Sequence, residues 1–103
     1  MIQPNLSPVS APERQRLKGL GHHLKPVVII GNQGLTDGVL AEINRALSDH
    51  ELIKIRIAAG DREDRTELAA QCCAQSGAQC IAQTGKMVLI YRRNAKAPHS
   101  WAQ

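Results

Sequence analysis

The stretch KPVVIIGNQGLTDGV, residues 25–39, sets the architecture of this chain. Its apolar run ends at Gly31, and a second glycine, Gly34, follows three residues later. Thr36 is of a type that caps helix N-termini, and Asp37 suits the positive end of a helix dipole. The stretch therefore predicts a strand, a short loop with a glycine at each end, and a helix.

The strand before this loop is apolar on both of its faces. Such a composition is typical of a strand in a parallel pair, or of a strand that is covered on both sides. In the helix after the loop, apolar residues recur at the spacing of one packed helix face. They are Val39, Leu40, Ile43, Ala46 and Leu47.

The segments on either side predict a helix upstream and a strand downstream. Residues 10–13, SAPE, match the capping box of a helix start, and leucines follow at helical spacing at positions 17, 20 and 24. From Leu52 the apolar period changes to two, because isoleucines alternate with Lys54 and Arg56. That alternation predicts a half-buried strand.

The C-terminal part predicts a third helix and a hairpin. Asp61 can cap the helix, which Gly77 is well placed to end. The acids of the run Asp61-Arg62-Glu63-Asp64 suit the positive helix start better than a metal site. Residues 79–84 and 86–92 predict two short strands around a glycine.

The predicted order is therefore α-β-α-β-α-β-β. Strand–helix–strand repeats imply parallel neighbours with right-handed crossovers, and the closing hairpin must add one antiparallel strand. We predict an α/β fold, a two-layer sandwich with a mixed four-stranded sheet. Residues 10–93 are predicted to form its single domain, with a flexible arm at residues 1–9 and a disordered tail at residues 94–103.

Composition and charge narrow the classes of function. Of the 103 residues, 43% are hydrophobic but only 2% are aromatic, so stacking of bases on several aromatic rings is excluded. The net charge of +4 is uneven: residues 1–35 carry +3, residues 36–84 carry −3 and residues 85–103 carry +4. This asymmetry indicates a polyanionic partner, although a merely solvated surface would explain it equally well.

Other chemistries find little support. The three cysteines, Cys72, Cys73 and Cys80, have neither disulfide-framework nor zinc-site spacing, so we interpret them as small buried hydrophobes. No histidine pairs with a nucleophile or a carboxylate at an informative spacing. The N-terminus lacks the pattern of a signal peptide, and no apolar stretch approaches the ~20 residues of a membrane span. We expect a cytoplasmic protein without a membrane partner, a metal or a cofactor.

Three interpretations of the glycine loop remain open. The glycines can serve a turn that needs positive φ. Alternatively, bare backbone before a helix can bind phosphate, or it can clamp the backbone of RNA, as the GxxG loop of KH domains does. The dinucleotide motif G-x-G-x-x-G is absent, and the P-loop would need a glycine and a Ser or Thr where the chain has Cys80 and Met87.

Three segments together resemble the CRM domain, the chloroplast RNA splicing and ribosome maturation domain, in its single-domain bacterial form, the YhbY family. They are LKGLGHHLKPVVIIGNQGLTDGVLAEINRAL, HELIKIRIA and TGKMVLIYR, and the resemblance spans residues 13–93. It implies a fold similar to the C-terminal domain of translation initiation factor 3. The strand order would be 1-2-4-3, with strand 4 antiparallel.

The resemblance also implies a function. Bacterial members bind RNA through the loop and nearby basic residues and associate with precursors of the large ribosomal subunit. We therefore expect a monomeric, non-enzymatic assembly factor that binds precursor rRNA and not DNA. The candidate RNA-binding residues are Lys18, His22, Lys25, Gly31, Asn32, Gln33, Gly34, Lys86, Arg92 and Arg93. Two alternatives stay open, a ribosome-associated protein-interaction adaptor with weak RNA contact and a small phosphate-binding enzyme.

Overall fold

The computed structural model of the protein describes residues 9–93. The predicted tail, and the predicted arm except for Val9, lie outside the described residues. Val9 itself is buried, and its backbone N–H donates to Oε1 of Gln79 at 2.9 Å. The elements are α1 (Ala11–Gly21), β1 (Pro26–Ile30), α2 (Asp37–His50), β2 (Leu52–Ile57), α3 (Arg62–Ser76), β3 (Gln79–Thr84) and β4 (Met87–Tyr91).

The four strands form one mixed sheet in the order β1-β2-β4-β3. Strands β1 and β2 are parallel, whereas β4 runs antiparallel to both of its neighbours, β2 and β3. The predicted α/β class, the mixed four-stranded sheet and the order 1-2-4-3 with strand 4 antiparallel are therefore confirmed.

The helix ends follow the local signals in the sequence. The Thr36 hydroxyl accepts a hydrogen bond from the backbone N–H of Val39 at 3.1 Å, as an N-cap does. Asp61 and Asp64 each accept from the other's backbone N–H, which completes a capping box at the start of α3. Gly77 ends α3 in the left-handed region, with φ of 78°.

The main core lies between the sheet and the pair formed by α2 and α3. Its buried side chains come from one face of the strands, from the inner faces of both helices and from the connection before β3: Val28, Ile30, Ile43, Leu47, Ile53, Ile55, Ile57, Ala69, Cys72, Ala78, Val88 and Ile90. These two layers, helices on one side and sheet on the other, are the predicted sandwich.

Helix α1 adds a partial third layer on the opposite face of the sheet. Leu17 packs there with Leu52, Ile81, Leu89 and Tyr91, which come from β2, β3 and β4. Gly21 lies so close to the Leu89 side chain that a Cβ at this position would overlap it. The close approach of helix to sheet therefore explains why this helix ends in glycine.

This third layer does not reach β1, which is an edge strand. Val28 and Ile30 are buried under α2, but Val27 and Ile29 on the other face are 52% and 61% exposed. The apolar composition of β1 thus reflects a parallel pair and not a strand covered on both sides. Within residues 9–93, no helix is long and apolar enough to cross a membrane.

Candidate nucleic-acid interface

The glycine loop, residues 31–34, joins the C-terminal end of β1 to the start of α2. The backbone N–H of Gly34 donates to the carbonyl of Gly31 at 3.0 Å, and this bond closes the turn. The next bond runs from the N–H of Thr36 to the carbonyl of Gly34 at 3.1 Å. Asn32 and Gln33, between the two glycines, are exposed. The loop therefore presents two amide side chains to solvent directly before a helix N-terminus.

The two glycines of this loop have different reasons to be there. Gly34 has φ of 74°, a left-handed conformation that favours glycine whatever the surroundings. Gly31 has no such φ, and a Cβ at this position would meet nothing within 4 Å. Neither backbone conformation nor packing requires glycine at position 31. A turn requirement therefore accounts for one glycine, and the bare backbone at Gly31 is open to a ligand.

Lys86 lies at the same end of the sheet as this loop. Its carbonyl accepts a hydrogen bond from the backbone N–H of Ile57 at 2.8 Å. The next residue, Ala58, donates its backbone N–H to the carbonyl of Ile30, the last residue of β1, also at 2.8 Å. Because neighbouring strands are about 4.8 Å apart, the exposed Lys86 lies roughly 10 Å from the end of β1. The structure therefore brings together five of the predicted residues, the four of the loop and Lys86.

Lys18 and His22 lie on α1, above the open part of the sheet. They line a groove with Lys54, Thr84 and Met87, which come from β2, β3 and β4. Both predicted residues are exposed. The groove therefore joins the basic side of α1 to Lys54 on the sheet.

Two basic residues of this surface were missing from the predicted set, Lys54 and Arg56. The alternation in β2 turns its isoleucines toward α2 and α3, so that the cationic side chains stand on the other face. Arg56 pairs in register with Ile29 on one side and with Met87 on the other. The alternation itself was visible in the sequence, but it did not reveal that α1 leaves this part of the face uncovered.

Lys25 lies at the far end of β1 from the loop. Gly31 is six positions further along a nearly extended chain, about 20 Å away at the usual rise per residue. It lines a second groove on the same face, together with Val27 and Lys54. We call the surface formed by Lys18, His22, Lys25, Lys54 and Arg56 the basic face.

Arg92 has a different position from the one its sequence motif suggested. Its guanidinium donates to Oδ1 and the carbonyl of Asn44, to the carbonyl of Ser76 and to Oγ of Ser48, at 2.7 to 3.1 Å. These bonds join the C-terminal parts of α2 and α3, and burial lowers the pKa of Arg92. Four of its five N–H groups are thus used within the protein. This geometry is that of a structural residue.

Arg93 is also separate from the loop. It lies beyond the C-terminal end of β4 and forms an ion pair with Glu13 at 2.9 Å. Its Nε–H donates to the Tyr91 hydroxyl at 3.4 Å, and this bond, followed by the Glu13 carboxylate, raises the pKa of Arg93. Tyr91 is 2% exposed and serves the packing beneath α1.

The acidic residues lie apart from the basic face. Eight of the nine belong to α2, α3 and their capping residues: Asp37, Glu42, Asp49, Glu51, Asp61, Glu63, Asp64 and Glu67. The ninth, Glu13, is paired with Arg93. Asp64 and Glu67 also line the groove between the glycine loop and α3. A polyanion held at the loop is therefore repelled on the α3 side and attracted on the side of the sheet that α1 partly covers.

The interpretation of the cysteines as small buried hydrophobes is wrong for Cys80, which is exposed, whereas Cys72 is buried and Cys73 is half-buried. Burial raises the pKa of Cys72 to about 11. Burial, with Cys80 and Cys72 nearby, raises the pKa of Cys73 to about 12. Both thiols therefore stay protonated, and poorly nucleophilic, at neutral pH. Across residues 9–93, no group of three or more His, Cys, Asp or Glu side chains is arranged to hold a metal ion.

Comparison with known proteins agrees with this architecture. The model of the CRS1/YhbY (CRM) domain matches residues 10–92. The chain belongs to this family. The resemblance to CRM domains of the single-domain YhbY type is thus confirmed, and the observed sheet order is the one that the resemblance implied.

Relatives of this CRM domain are similar over most of their length. A Pseudomonas aeruginosa protein named "Probable RNA-binding protein PA4753" is 51% identical over 84 residues, 82% of this chain and 81% of that protein. A Haemophilus influenzae protein named "RNA-binding protein" is 41% identical over 92 residues, 89% and 93% of the two chains. The solution structure of the hypothetical protein SAV1595 from Staphylococcus aureus superposes with a TM-score of 0.77 at 25% identity, covering 86% of this chain and 93% of that one.

Proposed function

We propose that this CRM domain binds RNA, with phosphates held at the glycine loop and along the basic face. One observation carries the proposal: the sheet separates the cations of the basic face from the acids of α2 and α3. A surface of one sign attracts a polyanion and orients it. The names of the relatives from Pseudomonas aeruginosa and Haemophilus influenzae support RNA as that polyanion.

The glycine loop is the proposed anchor of the RNA backbone. The side chain missing at Gly31 lets a phosphate approach the main chain, where the first turn of α2 leaves N–H groups without intrahelical partners. Asn32 and Gln33 add amide donors. Lys18, His22, Lys25 and Lys86 remain proposed contacts, and Lys54 and Arg56 join them. Arg92 and Arg93 are left out, because their guanidinium groups are engaged within the protein.

Salt dependence of RNA binding tests this proposal. The variant Lys54→Gln/Arg56→Gln removes two charges from the basic face. The control Arg45→Gln/Arg62→Gln removes two exposed charges from α2 and α3. We expect the first variant to bind more weakly, with a slope of log K against log salt reduced by about 0.7–0.9 per lost phosphate contact. The control should keep the wild-type slope. Equal losses in the two variants would show that net charge alone, and not the basic face, attracts RNA.

The biological role that we propose is assembly of the large ribosomal subunit, through precursor rRNA. It rests on the resemblance to bacterial YhbY proteins. We further propose a cytoplasmic monomer that acts by binding, without enzymatic activity. On a sucrose gradient at low salt, the protein should sediment with precursors of the large subunit and not with translating ribosomes. Recovery of all the protein at the top of the gradient would contradict this role.

One observation favours a second candidate function, that of an adaptor that binds a protein on the ribosome. Val27 and Ile29 are apolar, exposed and adjacent on one strand, as contact residues of a protein interface often are. In that case RNA binding would be weak and the two residues would contact a protein partner.

A further inference from the structure

Val27 and Ile29 are the large hydrophobic side chains that the described residues leave exposed, at 52% and 61%. They stand on the same face of β1, two residues apart, and the strand runs directly into the glycine loop. At about 3.3 Å per residue, Ile29 lies roughly 7 Å and Val27 roughly 13 Å from Gly31. The exposed apolar side chains of Val27 and Ile29 therefore lie next to the glycine loop, the proposed phosphate-binding site.

Cationic side chains surround this pair on the sheet. Arg56 is the in-register neighbour of Ile29 on β2. Lys25 and Lys54 line the same groove as Val27. The outer edge of β1 instead borders α2, where two acids, Glu42 and Asp49, line a groove with Val27 together with Arg45 and His50, so that acids outnumber the arginine two to one. A polyanion that leaves the loop is thus directed across the face of β1 and β2 and away from the strand edge.

We infer that the RNA is single-stranded where it crosses β1, so that Val27 and Ile29 contact the faces of unpaired bases while the glycine loop holds the adjoining phosphate. This inference rests on the proposed RNA-binding function and names the form of RNA that the site takes. In a duplex the bases are stacked and paired, and the protein meets phosphates and 2′-hydroxyl groups. Exposed aliphatic side chains gain nothing from such a surface, whereas an unstacked base offers an apolar face.

Aliphatic side chains take the place of aromatic ones here. Proteins that bind single strands commonly stack bases on aromatic rings. Tyr91 is the only Phe, Tyr or Trp within residues 9–93, and it is buried under α1. The exposed apolar surface beside the loop is supplied by Val27 and Ile29. Its cationic border and its continuity with the loop favour RNA over a protein as the occupant.

Three RNA probes of the same length, about ten nucleotides, separate contacts to bases from contacts to phosphates. One is a single strand of mixed sequence, the second carries abasic riboses in place of the nucleotides, and the third is the first strand annealed to its complement. Dissociation constants are measured at several salt concentrations for the wild type and two variants. Val27→Thr/Ile29→Thr keeps β-branched side chains but makes them polar. Val27→Ile/Ile29→Val exchanges the two side chains and keeps both positions apolar.

The wild type should bind the single strand more tightly than the duplex or the abasic strand. Val27→Thr/Ile29→Thr should bind the single strand about tenfold more weakly, which corresponds to 1.4 kcal/mol. It should bind the abasic strand as the wild type does, with an unchanged salt slope, because the phosphate contacts are intact. Val27→Ile/Ile29→Val should behave as the wild type toward all three probes. Melting temperatures of both variants establish that each is folded.

Equal wild-type affinity for the single strand and the duplex, or for the single strand and the abasic strand, would overturn this inference and leave the proposed function standing. Unchanged binding of the single strand by folded Val27→Thr/Ile29→Thr would also overturn it, and would leave the pair as a contact for a protein partner. A wild type that binds none of the three probes at low salt would overturn the proposed function itself.

Discussion

Replacing Arg92 by Ala distinguishes a structural arginine from a phosphate-binding one. The closing strand motif predicted an RNA contact at this position, yet the guanidinium donates four hydrogen bonds to Asn44, Ser48 and Ser76. These acceptors lie on the C-terminal parts of α2 and α3. We therefore expect Arg92→Ala to lower stability and to leave the RNA affinity of the folded protein unchanged.

The size of this effect follows from the four bonds. A hydrogen bond from a charged donor contributes about 1.5–3 kcal/mol to the free energy of unfolding. Arg92 is only half-buried, so water replaces much of what each lost bond supplied. We expect a loss of about 2 kcal/mol, well below the sum of four bonds. In a domain of this size, that loss lowers the melting temperature by roughly 8–16 °C.

Arg92→Lys and Arg93→Ala are the matched controls. Lysine keeps the charge but cannot reproduce the planar fork of donors, so Arg92→Lys should also be less stable than the wild type. Arg93 belongs to a surface ion pair, so Arg93→Ala should cost less than about 1 kcal/mol. Melting is followed by circular dichroism, and RNA affinity is measured well below the melting temperature. A stable Arg92→Ala protein with weaker RNA binding and a smaller salt slope would refute the structural role.

Three further predictions concern the loop and a half-buried thiol. Gly34→Ala should lower the free energy of unfolding by about 1 kcal/mol because of its positive φ, whereas Gly31→Ala should melt as the wild type does and bind RNA more weakly. Asn32→Asp/Gln33→Asp should abolish RNA binding by charge repulsion while its melting temperature stays close to that of the wild type. The pKa of Cys73 is raised from 9.0 to about 12, so above pH 9 the thiol ionises more readily in the unfolded chain and favours unfolding. In urea titrations, the free energy of unfolding of the wild type, relative to that of Cys73→Ala, should therefore fall between pH 9 and 12.

The elements could be predicted from the sequence because their signals are local. The caps at Thr36 and Asp61 and the left-handed stop at Gly77 each depend on a few neighbouring residues. The alternation in β2 likewise set which side chains face α2 and α3. Such signals can be recognised without knowing which distant residues are in contact. The structure has helices and strands where these signals predicted them.

The positions of the site residues that the sequence did not indicate depend on long-range packing. Arg92 contacts residues that are 16 to 48 positions away in the chain, and a strand motif cannot show which helices will meet its last side chain. The exposure of Val27 and Ile29 has the same origin. The apolar sequence of β1 is compatible with burial on both faces. One face is exposed here because α1 packs on β3, β4 and β2 but does not reach β1.

The acidic and basic side chains lie on opposite faces of the sheet because of the sheet topology and the order of the charged segments in the chain. The two crossovers, from β1 to β2 and from β2 to β3, join parallel strands and step across the sheet in the same direction. Right-handed crossovers in one direction place both helices on the same face. Because α2, α3 and their caps carry eight of the nine acids, that face becomes acidic. The cations of α1, such as Lys18, and those of β2, Lys54 and Arg56, are left on the other face.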